Sequence, residues 1–438
     1  MYPSLDYKIK NISSWNRSFS TKAKILYPKD LADLKSIFKD LKKNNHNFII
    51  KTGDCSYDDK SIPDQYETFA ISLKNLNRII SLNKVKGNVS IQTGALFPDI
   101  IKKLKDKGCT LYSVPGGSHI SIGGAIAANV IGKDSSKSFS CFGDSIESID
   151  ILNYDGSIKR LKKSSKNFLN HIGSFGLYGT IISVKLKIKK IKSQNLNFSS
   201  KILTDLNEVE EELEKKNADY KYIQIDPFFR KNNFAIILKG VVSNDKSDVY
   251  ENKNLNSNIF EKYFFYFISF FINRFLLKLI YKIYFQTYDK KNILMDISNF
   301  HYPSKYIHLV PLLCRKGIVD YEILIKNSYY SSMSKIINFL RKEEIYPIYM
   351  ITKKLYKSKK KFSYQFSDNG YSVAMAFDVN NFSKESFKNL EKLFSKSKFK
   401  LNQCKNRNYL PTKYDKNNFL FKSLFKKRIM KKYFLQSN

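Results

Sequence analysis

Apolar positions in the first 190 residues alternate between two rhythms. Across residues 28–45, Leu31, Leu34, Ile37, Phe38 and Leu41 recur at helical spacing, which predicts a helix with one buried face. The β-branched run Phe48-Ile49-Ile50 then predicts a short strand, and further strands fall at 69–73 and 89–93, the last closed by Gly94. Residues 98–107 read as a helix stopped by Gly108. Strands return at 146–153 and 181–188, with Asp155-Gly156 placed as a hairpin turn. This first region mixes helices and strands.

From residue 191 a second region begins. Strands are predicted at 220–225, 234–241, 319–325 and 371–379, and helices at 205–216, 331–342 and 385–396. The chain as a whole reads as α+β, with a 1–190 domain, a second domain over 191–400 and a C-terminal segment over 401–438. Between the helices lies the stretch 259–285, IFEKYFFYFISFFINRFLLKLIYKIYF. Its uncharged core, Tyr263 to Ile272, is too short to span a bilayer, which needs about 20 apolar residues. Three readings stand: a buried helix pair, a lid over the site, or a membrane-surface element with Lys262, Arg274, Lys278 and Lys282 at the headgroups.

Composition sharpens this picture in a few places. Apolar residues make up 42% of the 438 positions, enough to bury full cores in two or three domains. The formal net charge is +37. The lysines are spread along the chain and no nucleic-acid-reading motif accompanies them, so a general Lys-rich bias outweighs a polyanion partner, and no nucleic acid is expected. A basic balance still favours peripheral contact with an anionic membrane. Five widely spaced cysteines lack C-x-x-C spacing, the five histidines are dispersed, and the N-terminus lacks an apolar h-region. These features predict a reduced, cytoplasmic protein with no metal site and no signal peptide, extending to a peripheral place on the inner face of the cell membrane.

The chemistry is concentrated in residues 114–144, VPGGSHISIGGAIAANVIGKDSSKSFSCFGD. Gly116, Gly117, Gly123, Gly124 and Gly132 lie among small residues, which lets the backbone approach a ligand and aim N–H groups at negative charge. A diphosphate is the natural fit, with tight helix–sheet packing as the alternative use of small residues. Neither a P-loop nor a Rossmann fingerprint is present. This run resembles the FAD-binding segment of the PCMH-type, vanillyl-alcohol oxidase superfamily of flavoproteins. Ser14-Trp15-Asn16-Arg17, Ser56-Tyr57 with Asp59, residues 148–158, residues 176–181, residues 319–322, residues 370–373 and Cys404-Lys405-Asn406 resemble further motifs of that superfamily, in its sugar-oxidase branch.

The resemblance implies a two-part FAD-binding domain over 1–190, a substrate domain over 191–400, and a C-terminal segment returning to the flavin. It places the FAD diphosphate against residues 50–60, including Lys51, Thr52, Gly53, Asp54, Cys55, Ser56 and Tyr57, and against Gly116, Ser121, Ile122, Gly123 and Gly124. Ala128, Asn129, Ile131 and Gly132 would run past the flavin ring, Thr180 and Ile181 would touch the adenine side, and Asn402 would lie near the isoalloxazine. Thr52, Asp54 and Asp58 stand where relatives carry glycine, and Asp54 would repel a phosphate unless turned away. Ile131 stands where some relatives attach the flavin through His, so non-covalent FAD is expected. Ala374 replaces a cysteine beside the substrate. Lys405 matches the active-site lysine, able to bind the substrate hydroxyl, hold a phosphate or act as a base if its pKa is lowered; Tyr57 is a second catalytic candidate. Asp320, Glu322, Lys353 and Lys405 would face the substrate, with Asp320 and Glu322 on one side of a strand. The implied reaction is oxidation of a sugar secondary alcohol to a ketone by hydride transfer to flavin N5, on a sugar or lipid-linked sugar in cell-envelope glycan synthesis, with a short-chain reductase as partner. An aldonolactone oxidase and a non-catalytic flavin-binding protein are the alternatives.

Overall fold

The structure is a computed structural model that describes residues 5–57, 61–63, 66–251, 255–289, 291–381 and 383–405. Three sheets organise it. The first contains Tyr7–Ser13, Ser20–Leu26, Phe69–Ser72 and Phe48–Lys51, in that spatial order, and its last three strands run parallel. Helix Leu31–Lys43 makes the crossover between them. Asp30 caps it by accepting from the Asp33 amide, and Leu34, Ile37, Phe38 and Leu41 are buried as the spacing requires. The second sheet orders Ile79–Asn83, Asn88–Gln92, Thr180–Lys190, Ile146–Leu152 and Ile158–Lys162, all antiparallel, with Cys109–Leu111 on the far end of the long strand.

The third sheet holds eight antiparallel strands: Asn292–Asp296, Asn195–Leu203, Ala235–Val242, Tyr220–Ile225, Tyr349–Leu355, Gly370–Asp378, Ile318–Ile325 and Lys400–Leu401. One face is apolar. Val319, Tyr321, Ile323, Val373, Met375 and Phe377 pack there against Val209, Met333, Ile336, Leu390 and Phe394 from helices Leu206–Glu214, Tyr329–Lys342 and Lys384–Lys396. The other face carries Asp320, Glu322 and Lys353 and turns toward the first region, where Lys353 donates to the carbonyls of Ile131 and Gly132. The expected α+β class with an antiparallel, helix-flanked sheet is what the chain adopts. Strand Tyr349–Leu355 has no forecast in the sequence because Lys353 and Lys354 interrupt its apolar alternation.

Stretch 259–285 is not a buried helix pair. It forms helices Ile259–Ile268 and Arg274–Tyr288, the first with no buried residue and the second burying Tyr281 and Phe285. The first helix is apolar on nearly every side, and the short helix Ile307–Leu313 beneath it covers only one. Among the described residues, no helix is long and apolar enough to cross a membrane.

Candidate functional site

Two loops meet backbone to backbone at one end of the first two sheets. A Cβ on Gly53 would lie 2.3 Å from the His119 carbonyl oxygen and 2.8 Å from the Ser121 amide, so only glycine lets the loops close. Ser121 caps helix Ile122–Ala128 by accepting from Gly124, and its hydroxyl donates to Thr52 at 2.5 Å. Asp54 follows Gly53 on the same loop. It adopts φ +56°, a left-handed conformation that glycine takes at no steric cost, and its exposed carboxylate pairs with the buried Lys51 ammonium at 2.7 Å. Around these loops, backbone amides and the Thr52 hydroxyl suit an anion, and the Lys51 ammonium is shared with Asp54.

Across from the loops, four side chains converge. The Asp320 carboxylate is fully buried and accepts, at a single oxygen, from Tyr57 Oη at 2.7 Å, Tyr349 Oη at 2.5 Å and Lys405 Nζ at 3.1 Å. Lys405 also donates to Tyr57 Oη at 3.0 Å and lies 4.6 Å from the centre of that ring. The sheet makes this possible through its register. Asp320 and Tyr349 both pair with Ala376 on the strand between them, so a small residue leaves room for the phenol to reach across. Two residues along, Glu322 accepts from Ser372 on the paired strand and from Asn402, each at 2.6 Å.

The charges follow from this packing. Burial opposes the Lys405 ammonium, but Asp320, Tyr349 and Glu322 outweigh it and hold the group well above the usual lysine range. Of the three roles open to Lys405, the charged environment favours binding the substrate hydroxyl or a phosphate as an ammonium over acting as a base. Burial, then Asp320, raises the Tyr57 phenol well above its ordinary value. Burial works against the Glu322 carboxylate, yet Lys353 and Lys405 bring its pKa below the usual range. For Lys353, burial dominates and lowers it.

The other sequence candidates divide into two groups. Asn402 joins the cluster, bonded to Glu322 and accepting from Tyr364 Oη at 2.8 Å, and Cys404 Sγ reaches the Ala128 carbonyl at 3.3 Å. Thr180 is buried with its hydroxyl unpartnered, next to Ile181, whose carbonyl accepts from Thr93. By contrast, the Ile122 side chain is in the second sheet's core, and Asn129 uses its amide on Tyr364 and Gly143. Neither side chain is available to a ligand. Burial and Asp54 push the Cys55 thiol up to about 12, so it is inert as a nucleophile. Ser56 accepts from the Trp15 amide, and Gly132 packs on Ser113. Asp58, Asp59, Lys60, Asn406 and the rest of 406–438 lie outside the described residues. Tyr349 and Tyr364 have no forecast in the sequence, although strand alternation from Lys353 points back to Tyr349.

A family profile described as an FAD binding domain matches residues 23–162, which takes in both glycine loops. Residues 23–162 thus carry an FAD-binding domain of the PCMH type. The flavoprotein is similar to decaprenylphosphoryl-beta-D-ribose oxidase of Mycolicibacterium smegmatis, 23% identical over 41% of this chain and 39% of the relative. It is also similar to L-gulonolactone oxidase of Mus musculus, 20% identical over 55% of this chain and 54% of the relative. The matched stretches thus span about two fifths to one half of these curated relatives. In fold, the flavoprotein resembles cholesterol oxidase from B. sterolicum, with a TM-score of 0.71 over 96% of this chain and 92% of that one at 11% identity.

FAD is its cofactor, and the residues fit it. The Gly53–Ser121 cradle with Lys51 and the Thr52 hydroxyl suits a diphosphate, and the buried Thr180 hydroxyl has no partner within the protein. Ile131 has no atom able to bond covalently to a flavin. Acid or heat precipitation should therefore release all yellow colour into the supernatant, and flavin retained in the pellet would contradict non-covalent binding.

Proposed function

We propose that the flavoprotein is an FAD-dependent oxidoreductase that oxidises a sugar secondary alcohol to a ketone. The carrying observation is the convergence of Tyr57, Tyr349 and Lys405 on the buried Asp320 carboxylate, beside the FAD loops. Oxidation of a carbinol removes a hydride from carbon and a proton from oxygen. Bound FAD supplies the hydride acceptor. The proton is the protein's task, and Asp320 is the group built to receive it. As Tyr57 accepts the substrate proton it passes its own to Asp320, so the phenol never has to ionise alone in a buried place. The fixed Lys405 ammonium orients the substrate oxygen and stabilises negative charge developing there. Glu322 and Asn402 present further hydrogen-bonding groups to the sugar, and Lys353 adds a cation that could meet a phosphate.

The similarity to a decaprenylphosphoryl-ribose oxidase supports a polyprenyl-phosphate sugar as substrate, in cell-envelope glycan synthesis. A short-chain reductase would then return the ketone as the epimeric alcohol. The similarity to L-gulonolactone oxidase favours a second reading, oxidation of a sugar-1,4-lactone. Anaerobic mixing separates the two. Rapid bleaching of the flavin by a prenyl-phosphate pentose, and not by a 1,4-lactone, is expected. Bleaching by the lactone alone selects the second reading, and bleaching by no sugar leaves a non-catalytic flavin-binding protein.

A further inference from the structure

We propose that the consecutive helices Ile259–Ile268 and Arg274–Tyr288 form a docking surface that seats the protein on an anionic lipid surface. Phe260, Tyr263, Phe264, Phe267, Phe270, Phe271 and Phe275 are each more than half exposed. Large aromatic side chains carry about 200 Å² apiece, so these seven alone leave roughly 900 Å² of apolar surface in contact with water. The largest patch on a typical monomer is about 300–600 Å². This surface is therefore built to be covered.

The second helix shows by what. It carries three stripes. Tyr281 and Phe285 are buried on the third sheet, and Tyr281 Oη donates to the Ile348 carbonyl at 2.7 Å. Phe275, Leu279 and Ile283 recur every fourth residue as an exposed apolar stripe. Arg274, Lys278 and Lys282 form an exposed basic stripe beside it. From Lys262 to Tyr288 there is no acidic residue. Aromatics at the turn, leucine and isoleucine below them and a flanking row of cations match the interface of an anionic bilayer, where rings enter the acyl boundary and cations meet headgroups. A second copy of this chain fits poorly, because an isologous contact would bring two identical basic rows together.

Both helices are tied to the rest of the protein, so docking would orient the whole molecule. Phe265 stacks on Tyr306 at 5.3 Å, Glu261 pairs with Lys305 at 2.5 Å, and Arg274 donates to Tyr346 Oη at 2.6 Å. The surface they form also lies near the site. Tyr266 is 5.9 Å from the Arg17 guanidinium, and Trp15, two residues away, packs 5.2 Å from Tyr57. His308, at the foot of the first helix, lies 4.2 Å from His119 on the glycine loop. A substrate with a lipid tail would meet the site from this side. The docking itself does not rest on the proposed reaction, because binding can be scored without substrate.

The test is co-sedimentation of the FAD-loaded protein with phosphatidylglycerol/phosphatidylcholine vesicles and with pure phosphatidylcholine vesicles. Binding to the anionic vesicles, weakening as salt rises, is expected. Lys278→Glu with Lys282→Glu should lower partitioning roughly thirtyfold, since each cation near such a surface contributes about fivefold or more. Phe267→Ser with Phe271→Ser and Phe275→Ser should lower it at least about tenfold. All these positions are exposed, and unchanged flavin colour and thermal unfolding confirm intact variants. Wild-type protein that stays in the supernatant, or variants that bind as wild type does, would overturn the proposal. So would a dimer in sedimentation equilibrium that the phenylalanine substitutions convert to monomer without any vesicle binding.

Discussion

Asp320→Asn should retain bound FAD yet reduce it with substrate about 10²- to 10⁴-fold more slowly, the usual cost of losing a positioned acid–base group. The reason is the geometry at one oxygen. Asp320 receives two phenols and an ammonium, all of them donors, in a site without exposure. An amide keeps the shape but brings a poor acceptor and two added N–H donors, so one incoming group loses its partner. Tyr57 then has no carboxylate to take its proton. Asparagine is preferred to alanine because removing one member of a buried pair commonly costs about 3–5 kcal/mol and could unfold the domain. Stopped-flow reduction under anaerobic conditions reads the rate, and the flavin spectrum reports the fold. A variant that reduces as fast as wild type would remove Asp320 from the reaction and leave Glu322 as the remaining carboxylate.

Lys405→Ala should slow the same step by about 10²- to 10³-fold, as loss of one electrostatic contact to developing charge does. Because Lys405 is a cation and not a base, Lys405→Arg should recover part of the rate, limited by the larger, planar head. The pH profile gives an independent check. A free-base lysine would give activity that rises as the group loses its proton. With the Lys405 pKa raised by Asp320, Tyr349 and Glu322 against burial, the ammonium persists through the neutral and mildly alkaline range. Any rise in rate across neutral pH should therefore survive in Lys405→Arg. A rise that vanishes in that variant would restore the lysine base and refute the fixed cation.

Local rules in the sequence were enough for the one-sided helices such as Leu31–Lys43 and for the glycine loops, but not for helices Ile122–Ala128 and Ile297–His301. Periodicity placed helix Leu31–Lys43 and its four buried apolar residues, because that helix packs one face on a sheet and solvates the other. The loops were legible because close backbone approach restricts residue type, as the 2.3 Å clearance at Gly53 makes plain. The resemblance also marked Asp320, Glu322, Lys353, Lys405 and Tyr57 as neighbours of a substrate.

Only the tertiary structure decided what those residues are. Asp54 looked hostile to a phosphate, and only the structure shows its exposed carboxylate paired with Lys51. Lys405 had three roles open to it, and Tyr349 did not stand out among 29 tyrosines. Both outcomes depend on three adjacent strands whose register sets Asp320 and Tyr349 on either side of Ala376. Strand register is a long-range property, fixed by how whole sheets pack, whereas a protonation state depends on every charge that packing brings near. The same holds for stretch 259–285. Its apolar residues are plain in the sequence, but whether an apolar face is buried or bare depends on what the rest of the chain can reach to cover it.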